Sequence, residues 1–427
     1  MPGGFRKLRR LTIEPKNSKG LAEISSQVGT FLALKSLQRL LPAMKKEELD
    51  AILTAMIETG EGVSDLVFVI GKPPQVERYG RLIPLEMDGP DSLLQATHIE
   101  EMAALLIGEN KRLLSDFDER GSCDASYGIG DLARFRVNIY KQNGRRAIVM
   151  RKLESKVPTL DELGFPPIFK QIIQEKTGIV VVTGGTGSGK TTTLAAMLNE
   201  VNHTQEVHIV TLEDPIEFLH SHGKATFSQR EMGKDFPNFA SGLRAALRQA
   251  PKVIFVGEIR DRDTMEIALT ASETGHLVFS TLHTIDAGQT IGRILGMFTK
   301  DEEKQVRQRL AETLRYIISQ RLVGKIGGGR LLVTEIMGSS LRTRESLIYG
   351  EGENRTFQEI IEAGGINGWH SFDQSLLKAY EADLITDETA LNFSTHKTKM
   401  RRDLEMSKKL RFDYETESSG LQMLRTH

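Results

Sequence analysis

The chain is poor in the residues from which covalently or metal-held folds are built. Cys123 is the sole cysteine among 427 residues, which excludes an internal disulfide and any zinc site made of several thiolates. Aromatic residues make up 6% of the sequence, with a single tryptophan, so little is present from which to build a stacking platform for single-stranded nucleic acid. Neither sign of charge is in excess: 56 Lys and Arg face 57 Asp and Glu, which removes the bulk attraction behind non-specific polyanion binding. Nucleic acid is not an expected partner. No run approaches the roughly 18 apolar residues that a membrane-spanning helix needs, and the basic stretch with Arg6, Lys7, Arg9 and Arg10 lacks the apolar core of a signal peptide. A cytoplasmic protein without an integral membrane segment is expected.

What is present reads as two or three domains, at roughly 100 to 200 residues each. Residues 1–45 read as an N-terminal extension with one short amphipathic helix at Phe31 to Leu41, and no function is assigned to it. Residues 46–154 alternate short helices and strands, with a helix at Leu49 to Ile57 and strands at Asp65 to Ile70, Val76 to Gly80, Arg134 to Tyr140 and Arg145 to Arg151. This is a compact α+β unit. Residues 155–167 carry three prolines and read as a linker. In residues 168–395, apolar strands at Ile179 to Thr183, Val207 to Leu212, Val253 to Val256, Leu277 to Thr281 and Arg330 to Ile336 are separated by helical stretches. Strands of that kind predict a parallel sheet covered on both faces, followed by a helical C-terminal part. Residues 396–427 form a charged tail, with Lys397 to Arg411 a basic helix or tail whose simplest reading is a solvated face.

The strongest local signal is Gly184-Gly185-Thr186-Gly187-Ser188-Gly189-Lys190-Thr191, which fits G-x-x-x-x-G-K-[ST] between an apolar strand and a helix beginning near Thr192. Glycines let backbone N–H groups close around phosphate oxygens, and the helix N-terminus adds positive potential. Lys190 supplies charge to the β/γ phosphates and Thr191 a hydroxyl to Mg2+. ATP and Mg2+ are the expected ligands.

Hydrolysis also needs carboxylates to hold the metal and to orient or deprotonate water. In Thr-Leu-Glu-Asp-Pro-Ile-Glu (residues 211–217) Pro215 ends the strand, so Glu213 and Glu217 fall at the carboxyl edge of the sheet, where open α/β sheets bind ligands. The run Val253 to Val256 delivers Glu258 to the same edge as a Walker-B-type acid. His276 and His283 bracket a third strand; contact with a γ-phosphate or a neighbouring carboxylate suits them better than metal ligation.

The phosphate loop, Thr-Leu-Glu-Asp-Pro-Ile-Glu-Phe (211–218), Gly-Glu-Ile-Arg-Asp (257–261) and Gly-His-Leu-Val-Phe-Ser-Thr-Leu-His-Thr (275–284) occur in that order. Together they resemble the Walker A, Asp box, Walker B and His box of the type II/IV secretion ATPase superfamily, and most of all its type IV pilus retraction, or twitching motility, branch (PilT and PilU). The similarity runs from about Leu49 to about Thr389 and takes in Ala133 to Asn138, Ser319 to Leu322 and Phe372 to Gln374. It implies a RecA-like P-loop ATPase domain with a parallel-rich sheet, preceded by a smaller α+β PAS-like domain. It further implies a homo-hexamer, or a mixed ring with a paralogous ATPase, working on an inner-membrane pilus platform protein from the cytoplasmic face of the membrane.

By that resemblance the whole loop, Gly184 to Thr191 with Thr192, binds ATP; Thr191 and Glu258 hold Mg2+; Glu217 is the favoured catalytic carboxylate, with Glu213 its rival; and His276 and His283 sense the nucleotide. Arg134, Arg136, Arg145 and Arg151 are candidates for arginines acting on a neighbouring subunit's ATP, with Arg146 beside them. The implied function is an ATP-hydrolysing motor that drives or assists pilus retraction. The alternatives are a nucleotide-binding accessory subunit with little ATPase of its own, or a pilus-extension or type II secretion ATPase. The last usually carries a four-cysteine zinc insert that one cysteine cannot build. Three departures stand out: Lys252 replaces an acidic residue ahead of Walker B, Val67 replaces a histidine, and Leu341 to Ile348 replaces the retraction signature Ala-Ile-Arg-Asn-Leu-Ile-Arg-Glu.

Overall fold

The computed structural model describes residues 44–85, 93–130, 132–153, 156–353 and 355–424. The helix expected at Phe31 to Leu41 and the basic N-terminal cluster lie outside them. Backbone packing divides the chain into two units between residues 155 and 156.

The first unit is a six-stranded sheet in the order β3-β2-β1-β6-β5-β4, every pairing antiparallel. Its strands are β1 (Val63–Phe68), β2 (Gln75–Arg78), β3 (Arg81–Pro84), β4 (Ser122–Ile129), β5 (Ala133–Gln142) and β6 (Arg145–Leu153). Alternation sets its two faces. Leu66, Phe68, Phe135, Val137, Ile139, Ile148 and Met150 turn to one side and share a core with the helices Lys46–Ile57, Ala96–Ile107 and Lys111–Arg120. The other side carries charge. Strands β3 and β4, which the sequence pattern did not reveal, complete the sheet at its two edges.

The second unit holds a seven-stranded sheet in the order β13-β12-β7-β11-β10-β8-β9. Five strands fall close to their expected places: β7 (Gly178–Thr183), β8 (His208–Glu213), β10 (Val253–Val256), β11 (Leu277–Leu282) and β13 (Arg330–Gly338). β9 (Thr226–Glu231) and β12 (Leu314–Gly324) are additions. All neighbours run parallel except β12 and β13, so the expectation that Arg330 to Ile336 forms another parallel strand is corrected. A short turn at 325–329 joins the two, too short for the crossover that a parallel pair requires.

β7 and β11 are buried along their whole length because helices cover both faces of the sheet. Each of Ile179, Val180, Val181 and Val182 is at most 1% exposed and contributes about 1.5–3 kcal/mol of burial. Leu160, from the proline-rich segment, is buried in this same core. A satellite core of Val323, Val333, Phe372, Leu376, Ile385, Met400 and Leu404 gathers the C-terminal helices over the β12–β13 hairpin. The resulting architecture is α/β with a parallel-rich sheet, preceded by a smaller α+β unit, as the sequence implies.

Candidate active site

Parallel strands β7, β8, β10 and β11 end at one edge, and the loop that follows each of these four belongs to a motif singled out in the sequence. Residues 184–189 follow β7 and lead into the helix Lys190–Thr204. Gly184 (φ +146°), Gly187 (φ +76°) and Gly189 (φ +89°) take backbone angles that side chains rarely adopt. At Gly184 space is decisive as well: a Cβ there would lie 2.4 Å from the Ser188 hydroxyl and 2.6 Å from the Gln320 carbonyl oxygen. Gly185, Thr186 and Gly187 are exposed at the tip, whereas Ser188 and Lys190 are buried and Thr191 and Thr192 half-buried.

Lys190 Nζ donates to the carbonyl oxygens of Gly184 and Gly185 at 2.8 and 2.9 Å. Burial pulls its ammonium below the ordinary value, against the charges of Glu258 and Glu217, which raise it. Two carboxylates from different strands thus share a field with the loop's lysine. The Ser188 hydroxyl is buried without a hydrogen-bond partner, and so is that of Thr183 at the end of β7. Orphaned donors beside a glycine-lined loop and a helix N-terminus fit a phosphate group.

The segment after β8 separates the two Asp-box glutamates by role. Glu213 is 7% exposed; its carboxylate accepts from the Thr211 hydroxyl at 2.6 Å, the Gln229 amide at 3.1 Å and the Glu217 backbone N–H. Burial pushes its carboxyl up to about 7, against those three hydrogen bonds, which pull it down. Glu217 is half-buried, four residues on, and interacts electrostatically with Lys190. Glu213 is therefore the anchored carboxylate, while the half-buried Glu217 contributes to the electrostatic field at Lys190.

Glu258, two residues beyond β10, pairs with Arg260 at 2.7 Å and lies 3.5 Å from His283 Nε2. Burial alone would push its carboxyl up, but Arg260, His283 and Lys190 outweigh burial and hold it below the ordinary value. Among the described residues no cluster of three His, Cys, Asp or Glu side chains could hold a metal ion. One hydroxyl (Thr191) and one carboxylate (Glu258) instead suit Mg2+, which takes few protein ligands and completes its shell with phosphates and water.

The two histidines part company. His283 follows β11 at the loop edge, beside Glu258. His276 precedes β11, level with the start of β7: its carbonyl accepts from Gly178 N–H at 3.0 Å, and its Nδ1 lies 2.9 Å from the Ala271 carbonyl oxygen. A strand of six residues separates it from the loop edge, roughly 20 Å. Within the chain, strand polarity thus puts the two candidate nucleotide-sensing histidines at opposite edges of the sheet. Lys252, ahead of β10, is at that far edge too, so this departure does not touch the site.

In the first unit, register places Arg134, Arg136, Arg145 and Arg151 on the same face of the β5–β6 pair, the face away from the core. Arg136 pairs directly across from Arg151, which also binds Asp65 at 2.9 Å. Arg146 points the other way, to Glu100 at 3.2 Å and the Phe117 ring at 4.8 Å, which gives it a structural role. Val67 sits on β1, paired with Gln75 and Val149.

Sequence reasoning missed two glutamines. Gln229 on β9 holds Glu213, and Gln320 on β12 donates to Thr193 of the loop's helix at 2.6 Å. Gln320 was visible within the quoted Ser319 to Leu322 motif; Gln229 had only the short alternation of residues 226–231 to signal a strand.

Residues 121–338 match the family described as type II/IV secretion system protein. The chain is 41% identical over 335 residues to the type IV pilus retraction ATPase PilT of Pseudomonas aeruginosa, covering 77% of this chain and 94% of that one. It is 35% identical to the type IV pilus ATPase PilU of the same organism, over 81% of this chain and 88% of that one. Among solved structures, that of the pilus retraction motor PilT with bound ADP superposes with a TM-score of 0.73 at 38% identity, covering 83% of this chain and 99% of that one. Among the described residues no helix is long and apolar enough to cross a membrane.

Proposed function

This chain belongs to the PilT/PilU-like type IV pilus retraction ATPases of the type II/IV secretion superfamily, and from that premise we propose that it hydrolyses ATP to drive or assist pilus retraction. One observation carries the reading: the loop at residues 184–191, with its buried Lys190, lies in the combined field of Glu217 and Glu258, which arrive from two other strands. In this reading Lys190 leaves the Gly184 and Gly185 carbonyls for the β/γ phosphates, and Ser188 and the backbone amides of the loop hold the remaining oxygens. Glu217 orients the attacking water and takes its proton as the bond from oxygen to the γ-phosphorus forms and the bond to ADP breaks. Thr191 and Glu258 would hold Mg2+, which would supply positive charge against the charge of the transferring group. Glu213 holds the Glu217 backbone in place, and His283 sets Glu258.

The assembly we propose is a hexamer of this chain, or a mixed ring with a paralogous ATPase, at the cytoplasmic face of the inner membrane against a platform protein of the pilus. The shared face of Arg134, Arg136, Arg145 and Arg151 supports a trans role for these side chains, since a guanidinium brought to a neighbour's γ-phosphate stabilises its developing charge.

Phosphate release by the parent, Lys190→Ala and Glu217→Ala chains tests the reading. Lys190→Ala should lose nucleotide binding and turnover, and Glu217→Ala should keep binding and lower turnover about 100- to 10,000-fold while leaving a residual rate; parental turnover in both overturns it. The replaced signature at Leu341 to Ile348 favours a second reading, an accessory subunit. Nucleotide binding by the parent without magnesium-dependent phosphate release would select that reading.

A further inference from the structure

One side chain from a neighbouring strand binds the Asp box and the residues just after it at three points. Gln229, half-buried on β9, donates from Nε2 to Glu213 Oε1 at 3.1 Å and to the Phe218 carbonyl oxygen at 2.8 Å, while its Oε1 accepts from the His220 N–H at 2.8 Å. The orientation of the amide is set by its partners, because a carbonyl needs a donor and an N–H an acceptor. Residues 214–217, which carry Glu217, are therefore spanned by a side-chain bridge between Glu213 and Phe218. Glu213 closes the same ring from within by accepting the Glu217 N–H.

We propose that Gln229 is a positioning residue for hydrolysis, fixing the Asp box so that the Glu217 carboxylate keeps its place in the field at Lys190. This inference rests on the reading of Glu217 given above. Three features separate it from general packing. All three bonds go to residues 213–220, the end of the Asp box and the two residues after it, and none goes to the phosphate loop; Gln320 instead bonds Thr193 in the helix that follows that loop. The segment's far end is independently secured, by Asn202 to the Ser221 carbonyl at 2.8 Å and to the Gly223 N–H at 2.9 Å. Gln229 is thus dedicated to the half of the loop that carries the carboxylates. A displacement of about 1 Å at a reacting group can cost on the order of 100-fold in rate without affecting ligand binding.

The test is a double-mutant cycle on the full chain with Mg-ATP, using Gln229→Leu, which keeps bulk and removes all three bonds, with Glu217→Ala. Gln229→Leu should lower kcat 10- to 100-fold while KM and ADP affinity stay within about twofold. In the Glu217→Ala background the same change should cost less than about twofold, since the residue it positions is gone. Gln229→Glu, which places a second carboxylate against Glu213 and the Phe218 carbonyl, should lower kcat at least as much and provides a second route should the leucine variant fold poorly. Equal losses in both backgrounds, ADP affinity falling in step with kcat, or parental turnover in Gln229→Leu and Gln229→Glu would each overturn the proposal. Full turnover in Glu217→Ala alone would instead overturn the assignment of Glu217 on which it depends.

Discussion

The Glu213 carboxyl ties stability to pH, and Glu213→Gln makes the effect measurable. An unfolded glutamate loses its proton near 4.5, whereas burial holds the folded Glu213 proton up to about 7. Between these values the folded state binds more protons than the unfolded state, so this group makes stability fall as pH rises from about 4.5 to 7 and level off above. The full difference corresponds to about 3 kcal/mol, of which about 2 kcal/mol falls between pH 5.5 and pH 8. Glutamine has no proton to lose. It keeps the oxygen that accepts from Thr211 and Gln229, both of which bond to Oε1.

Glu213→Gln should therefore be close to the parent at pH 5.5 and gain about 2 kcal/mol on it by pH 8. For a unit of this size that is a shift of roughly 4 °C in melting temperature relative to the parent. Glu335, a second buried glutamate pushed up to about 7 chiefly by burial, is present in both proteins and cancels in the comparison. Thermal scans of parent and variant at one scan rate across pH 5.5–8 supply the measurement. Parallel melting curves at every pH, or a gain that shrinks as pH rises, would refute the argument.

Other changes isolate other parts of the molecule. Gly184→Ala forces a Cβ to within 2.4 Å of Ser188 Oγ and 2.6 Å of the Gln320 carbonyl; strain of about 1–3 kcal/mol should fall on the loop, and calorimetric titration should show ADP affinity at least tenfold weaker. Gly364→Ala brings a Cβ to 2.5 Å from the Trp369 ring; it should destabilise the C-terminal packing by about 1–3 kcal/mol, read from the fluorescence of the single tryptophan on unfolding, with nucleotide affinity unchanged. Arg136→Ala should lower kcat in the assembled protein by 100-fold or more, whereas Arg146→Ala, whose partners are Glu100 and Phe117, should cost less than about 1 kcal/mol of stability and leave turnover at the parental level.

How far the sequence reaches depends on whether a signal is local. The phosphate loop was legible because its chemistry needs a strand, glycines and a helix N-terminus in one continuous stretch, and residues 178–204 provide all three. Strands β7, β10 and β11 were legible because burial on both faces leaves an unbroken apolar run. β9 and β4 are edge strands only partly buried and β3 is an edge strand exposed along its length, so their alternation is weak. β12 continues directly from the helix Lys300–Thr313 without a turn residue between them, and no punctuation marks its start.

Sequence alone therefore determined which groups the chain possesses: a triphosphate cradle, acids after two strands, paired histidines and a set of arginines. The tertiary structure decided which of them share a space. Strand polarity kept His283 at the loop edge and sent His276 to the other; register turned four arginines to one face and Arg146 to the core side; and the sixteen-residue step from Glu213 to Gln229 closed a ring of hydrogen bonds around Glu217. Those outcomes depend on which strands lie side by side and in which direction, a property of the whole sheet that no single segment encodes.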